Sequence, residues 1–196
     1  MNIAFFDFDG TITFKDSFYG LLGCEISKLD FYKKALALLP VLFAYKAKII
    51  SNQKAKEIVL ASFFGGMKCE DFKQICKYYS KQLNDILRPL AERRLAWHKE
   101  KSDKIVIVSA SLEEYLAPWC EKNGFLLIAS RLEVSEGRIT GKLAGLNCHG
   151  DEKVRRIKEK YYLSAFEKIY AYGDTKGDLP MLKLAHESFY KPFREF

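Results

Sequence analysis

The chain has 196 residues, 48% of them hydrophobic and 29% charged, with a formal net charge of +7. That length suits one domain or a domain carrying a sizeable insertion, and the balance excludes a disordered, fibrous or low-complexity protein. The longest apolar run, Ala35 to Tyr45, falls short of the roughly 20 residues that a membrane-spanning helix needs.

Asn2 to Phe8 reads as a buried strand, because Ile3, Ala4, Phe5 and Phe6 form a continuous apolar run. Asp7 and Asp9 interrupt that run too early for a secretory leader, and Asp9-Gly10-Thr11 punctuates it. From about Phe14 to Ile86 the pattern is helical, with breaks near Gly20 to Gly23, at Ser51-Asn52 and at Gly65-Gly66. Ser51-Asn52 ahead of Gln53 to Phe64 has the form of a capped helix start. Pro89 opens another helix, to about Glu100, since proline is tolerated in a first turn.

Lys104 to Val108 is a second strand, rich in β-branched residues. Ser111-Leu-Glu-Glu114 has the form of a capping box, which assigns Ser111 to a helix start, and Gly124 suits that helix's end. Phe125 to Ala129 reads as a third strand and Leu132 to Leu143 as a hairpin turning at Glu136-Gly137. A charged helix over Gly150 to Tyr162, a fourth strand over Lys168 to Tyr172 and a helix from about Asp178 to Ala185 complete the order. Strands alternating with helices imply an α/β fold with a mostly parallel sheet covered on both faces. Ligands of such sheets bind beyond the carboxyl ends of the strands. Three of those ends carry polar clusters: Asp7 to Thr11, Ser109 to Ser111, and Gly173 to Thr175.

Residues two apart on an extended chain project to one side, so Asp7 and Asp9 are expected to share a pocket. One carboxylate can attack phosphorus and form an aspartyl-phosphate. The other can protonate the leaving oxygen and later deprotonate water. Gly10 lets the backbone approach a phosphate, and Thr11 adds a hydroxyl and an amide donor. Taken alone, so short a motif equally describes a strand end with two exposed acids. Carboxylates repel a phosphate ester, so the chemistry calls for a hard cation, and magnesium suits carboxylate, water and phosphate oxygens. Asp174 is the natural further ligand. Asp178 is a ligand, a support for one, or a helix-start residue favoured by the dipole. Ser109 can donate to a phosphoryl oxygen, and Lys153 can neutralise the charge that builds on the transferring group.

The ordered set Asp7-Phe-Asp-Gly-Thr11, Val108-Ser-Ala-Ser111, Gly150-Asp-Glu-Lys153 and Gly173-Asp-Thr-Lys-Gly-Asp178-Leu-Pro-Met-Leu182 resembles the four motifs of the haloacid dehalogenase superfamily. Within it the chain is similar to the phosphoserine-phosphatase-like branch. The resemblance implies Asp7 as nucleophile, Asp9 as acid and base, and Ser109 and Lys153 as phosphate binders. It implies magnesium at Asp7, the Asp9 carbonyl and Asp174, with Asp178 supporting. The phosphate would lie against Gly10, Thr11, Ser109, Ala110 and Lys153. A Rossmann-like core over 1–13 and 87–196 and an inserted helical cap over 14–86 are also implied.

True phosphoserine phosphatases hold the serine with a glutamate and a cap arginine. Here Asp16 stands at the glutamate's distance, and no arginine occurs between Phe14 and Leu87. Lysine replaces a bidentate arginine clamp poorly, which disfavours phosphoserine against another phosphorylated small molecule. The chain is also similar to a sub-branch of these phosphatases that acts on a phosphorylated glycerolipid, which would imply a lipid phosphate. Two readings of the lysine-flanked run at 33–48 stay open. One is a buried cap helix kinked at Pro40; the other is an apolar surface in peripheral contact with an anionic membrane. Tyr19, Phe31 and Phe43 are candidates to line the pocket, although helical spacing alone favours the core for them. The five cysteines form no C-x-x-C pair, so the expected compartment is the reducing cytoplasm, at the membrane's inner face in the second reading. Basic residues scattered along helices match no nucleic-acid motif, and nothing in the pattern dictates an oligomeric state.

Overall fold

A computed structural model describes residues 1–24 and 26–194. Its strands are β1 (Ile3–Phe6), β2 (Lys104–Leu112), β3 (Leu126–Ser130), β4 (Leu132–Ser135), β5 (Arg138–Leu143), β6 (Ile169–Gly173) and β7 (Glu187–Tyr190). Between β1 and β2 run α1 (Ser17–Leu22), α2 (Lys28–Ala37), α3 (Leu39–Lys46), α4 (Asn52–Phe64), α5 (Cys69–Gln82) and α6 (Pro89–Glu100). After β2 come α7 (Glu113–Asn123), α8 (Asp151–Lys160) and α9 (Leu179–Leu182).

Five strands form a parallel sheet in the order β3-β2-β1-β6-β7. Every residue of β1 and β6 is buried, as central strands covered on both faces must be. Alternation along β1 sorts its side chains between two cores. Ala4 and Phe6 join Leu95, Leu116 and Trp119 on one face. Ile3 and Phe5 join Ile157 of α8 and Met181 of α9 on the other. The Phe6 and Tyr172 rings stack at 4.2 Å, and Tyr172 stacks on Phe189 of β7 at 4.8 Å.

The hairpin β4–β5 turns at Glu136 and Gly137, both with positive φ (49° and 72°), the backbone that a tight two-residue turn requires. Ser51 caps α4 by accepting from Lys54 N at 3.1 Å, and Gly124 ends α7 in the left-handed region.

Four expectations need correction. The first strand stops at Phe6, because residues 8–12 wind into a tight turn through Gly10 at φ 82°. Strand β2 runs on to Leu112, so Ser111 caps nothing; Leu112 precedes α7 without a side-chain cap bond. The last helix is only Leu179–Leu182, and Glu187–Tyr190, too short and polar to register as a strand, forms the sheet edge. The buried-helix reading of 35–45 also fails. The run splits into α2 and α3 at Leu38, Pro40 lies in the first turn of α3, and neither helix contains a buried residue. Phe43 is therefore on the surface rather than in the core. Among the described residues, no helix is long and apolar enough to cross a membrane.

The helical insertion does not stand apart from the sheet. Helix α4 packs on β5 and α5 on α7. Leu60, Phe64, Phe72 and Tyr79 belong to the same apolar cluster as Leu116, Trp119 and Leu143.

Candidate active site

The carboxyl ends of β1, β2 and β6 meet beneath a cavity of about 530 Å³ that is lined by Asp7, Asp9, Asp16, Ser109, Ala110 and Lys153 among others. Asp7 follows the last residue of β1, and its amide still donates to Tyr172 O at 2.9 Å, which fixes its backbone against β6. Its Oδ1 accepts from Lys153 Nζ at 2.6 Å and its Oδ2 from Thr11 Oγ1 at 3.0 Å. Burial, opposed by the Lys153 ammonium and reinforced by the charge of Asp178, pushes the Asp7 carboxyl up to about 7.

Lys153, on the first turn of α8, is fully buried and spends its three donors on Asp7 Oδ1, Val108 O at 2.8 Å and Asp178 Oδ1 at 2.7 Å. Burial works against its charge, but the two carboxylates outweigh that and hold it above the usual lysine value. Asp178 is held below the usual carboxylate range, because Lys153 and the Thr175 hydroxyl and amide outweigh the cost of burial. A lysine between two carboxylates is thus a tightly paired, water-excluded cation.

Carboxylate oxygens of Asp7, Asp174 and Asp178 lie within 4.8 Å of one another, all three residues buried. Three hard oxygen donors converging without a histidine or thiol suit magnesium rather than zinc. Gly10 makes the approach of Asp174 feasible, since a Cβ there would stand 2.6 Å from Asp174 Oδ2. Both Asp178 oxygens are engaged, Oδ1 by Lys153 and Oδ2 by the Thr175 amide and hydroxyl. Asp174 is likewise met at both oxygens, by Thr11 Oγ1 at 3.4 Å on Oδ1 and by Arg194 at 3.0 Å on Oδ2.

Asp9 faces the same cavity from the other side. Its Oδ1 accepts from Ser17 N at 2.6 Å and its Oδ2 from Ser111 Oγ at 2.5 Å. The two acids meet in one pocket because the chain coils between them, rather than because a strand continues. Ser109 Oγ accepts from Ser111 N at 2.9 Å and is buried beside Ala110. Thr11 departs from its expected part: its hydroxyl bridges Asp7 and Asp174 instead of facing the cavity. Asp16 lies at the mouth and caps α1 through Phe18 N at 2.9 Å. Tyr19 is on the cavity wall and largely exposed, the pocket-lining place of the two weighed for it rather than the core.

Two residues of the site were not assigned to it from the sequence. Lys56, on α4, enters the cavity and donates to the Ala110 carbonyl. Burial lowers its pKa to about 8 against the opposing charges of Asp9 and Asp16. One lysine among many on a helix gives no signal until the helix is placed. Ser111 had a signal, but the capping-box spacing pointed it the wrong way.

The family model for haloacid dehalogenase-like hydrolases matches residues 4–183. Protein CicA of Caulobacter vibrioides is 36% identical over 192 residues, which cover 96% of this chain and 85% of that protein. The probable phosphatase Rv3661 of Mycobacterium tuberculosis is 35% identical over 132 residues, covering 63% of this chain and 46% of that protein. Of the solved structures, a Bordetella pertussis Tohama I protein of unknown function aligns with a TM-score of 0.81 at 22% identity, over 95% of this chain and 88% of that one. Apo phosphoserine phosphatase aligns with a TM-score of 0.66 at 16% identity, over 96% and 84%. At such identities these structures speak for the fold, and the family model speaks for descent. The chain belongs to the haloacid dehalogenase-like hydrolases.

Proposed function

We propose that this hydrolase is a magnesium-dependent phosphomonoesterase that works through an aspartyl-phosphate on Asp7. The observation that carries the reading is the cluster of Asp7, Asp174 and Asp178 carboxylates within 4.8 Å, with the Lys153 ammonium 2.6 Å from Asp7. Asp7 forms the bond to phosphorus as the ester oxygen departs with a proton from Asp9. Asp9 then takes a proton from the water that cleaves the aspartyl-phosphate, which returns Asp7. Lys153 and Ser109 face the phosphoryl oxygens as charge builds on them. Asp7, Asp174 and the Asp9 carbonyl would hold magnesium, which neutralises the phosphate's negative charge when bound. Names of relatives support the reading: a probable phosphatase in M. tuberculosis and a histidinol-phosphatase in Neisseria meningitidis, the latter 29% identical over 108 residues.

The same reading divides the chain into a catalytic core of 1–13 and 87–196 and a cap of 14–86. Backbone pairing supports that division. Thr13 bridges Leu87, Phe14 N donates to Ile86 O at 3.0 Å and Arg88 N to Ile12 O at 2.8 Å, so both crossings lie side by side.

The substrate is a phosphorylated small molecule or a lipid phosphate. One observation favours the lipid: the cavity is walled beyond its acids by Leu42 and Tyr45 of α3, together with Phe18 and Val59.

Phosphate release from an aryl phosphate tests the mechanism. Activity is expected with magnesium and absent in chelator or in Asp7→Asn; activity that persists in Asp7→Asn would overturn it.

A further inference from the structure

Helices α2 and α3 present an outer face that no other described residue covers. At helical spacing, Leu29, Tyr32 and Leu36 share one side of α2, and Leu39, Leu42 and Phe43 one side of α3. Tyr32 and Leu36 are each 68% exposed, Phe43 is 69% and Ile49, just beyond α3, is 76%. Single exposed apolar residues are ordinary, but a run of them over two adjoining helices marks an interaction surface. The inner sides are tied down: Phe31 packs on Phe63, Lys34 donates to the Ser62 carbonyl and Leu38 is buried. The outer face therefore cannot fold inward without breaking those contacts.

Charge tells which partner fits. Between Lys28 and Lys48 the chain carries Lys28, Lys33, Lys34, Lys46 and Lys48 against one acid, Asp30. Four of these lysines are exposed; only Lys34 turns inward. An isologous contact with a second copy would set the same lysines against each other with a single acid to meet them. An anionic bilayer offers both complements, acyl chains for the apolar residues and headgroup phosphates for the lysines.

We propose that the outer face of α2 and α3 docks on an anionic phospholipid bilayer. Leu42 and Tyr45 belong to α3 and also wall the cavity above Asp7 and Asp9, so docking brings the cavity's mouth to headgroup level. A phosphate monoester embedded in the bilayer could then reach Asp7 while its chains stay in the membrane. The docking stands on the surface alone; its consequence for the substrate rests on the phosphatase reading.

The test is sedimentation of the full chain with vesicles, either phosphatidylcholine alone or phosphatidylcholine and phosphatidylglycerol in equal parts. Binding to the mixed vesicles is expected to exceed binding to phosphatidylcholine by at least about tenfold and to weaken in high salt. Leu36→Gln/Phe43→Gln should lose about tenfold or more of that binding, while its aryl-phosphate hydrolysis matches wild type. Asp7→Asn should bind as wild type does. No sedimentation with the mixed vesicles, or undiminished binding by the double variant, would overturn the proposal. A dimer dissolved by the double variant, without vesicle binding, would assign the face to a second copy and overturn it equally. Vesicle binding without any phosphatase activity would sustain the docking and defeat the enzymatic reading.

Discussion

Lys153 ties α8 to the ends of β1 and β2 and to the Asp178 turn through its three bonds. Lys153→Met is expected to lower kcat by about a hundred- to a thousandfold, as loss of a transition-state donor does. It should also cost about 3 kcal/mol of stability, since Asp7 and Asp178 would face each other without a cation; steady-state kinetics and urea unfolding read the two effects. Ser111 acts more quietly, donating to one Asp9 oxygen while Ser17 N holds the other. Ser111→Ala should reduce kcat about tenfold with KM little changed, since it loosens the acid and base rather than the phosphate contacts. Asp7, Asp9, Asp174 and Lys153 were legible in the sequence because each sits at a strand end or helix start marked by Gly, Thr or Ser neighbours. Lys56 and Ser111 were not, since one depends on how α4 docks and the other on where β2 stops.

Helix α8 must hold Lys153 steady, and its own ion pairs contribute. Arg155, then Arg156, bonds the Glu152 carboxylate at 2.7 Å and holds its pKa down at about 2, from 4.5. A carboxyl whose pKa is depressed by folding adds stability that is fully present above the unfolded value. That contribution is lost as pH falls from 4.5 through about 2. Glu152→Gln should therefore unfold at lower urea at neutral pH, by about 1 kcal/mol given the half-exposed Arg155, and the gap should narrow in acid. A second element-level constraint lies where α4 meets β5. Gly141 has φ 85°, and a Cβ there would fall 2.4 Å from Ala61 Cα. Gly141→Ala should cost about 2–4 kcal/mol in urea unfolding, by backbone strain and overpacking together. At this scale β1, β2, β6, the β4–β5 hairpin and the start of α4 were readable from apolar runs, turn residues and a cap. The edge strand β7 and the exposure of α2 and α3 were not, because apolar content shows which residues could be buried, not which find a partner.

The molecule as a whole couples its insertion to its sheet through one apolar cluster, in which Phe72 of α5 is fully buried beside Phe64, their rings 5.0 Å apart. Polar contacts reinforce the junction: Trp119 Nε1 donates to Asn84 Oδ1 at 2.9 Å, and the Ser17 and Tyr115 hydroxyls share a bond of 2.8 Å; inside the insertion, Tyr79 OH donates to Ser17 O at 2.7 Å. Unfolding is expected in one cooperative step rather than cap first. Phe72→Ala should lower stability by about 3–5 kcal/mol while keeping a single transition, which fluorescence and circular dichroism together check. The Ser17 link also runs from α5 to Asp9, so the insertion helps to position the acid and base proposed above as well as to shape the cavity. The proposed mechanism turns on a bond between Asp7 and phosphorus. The most direct measurement is an acid quench during turnover of a 32P-labelled phosphate ester in magnesium, followed by mapping of the label. Hydroxylamine-sensitive label is expected on the peptide that carries Asp7 and none on Asp7→Asn. Rapid turnover with no label on Asp7, or label on another residue, would contradict it.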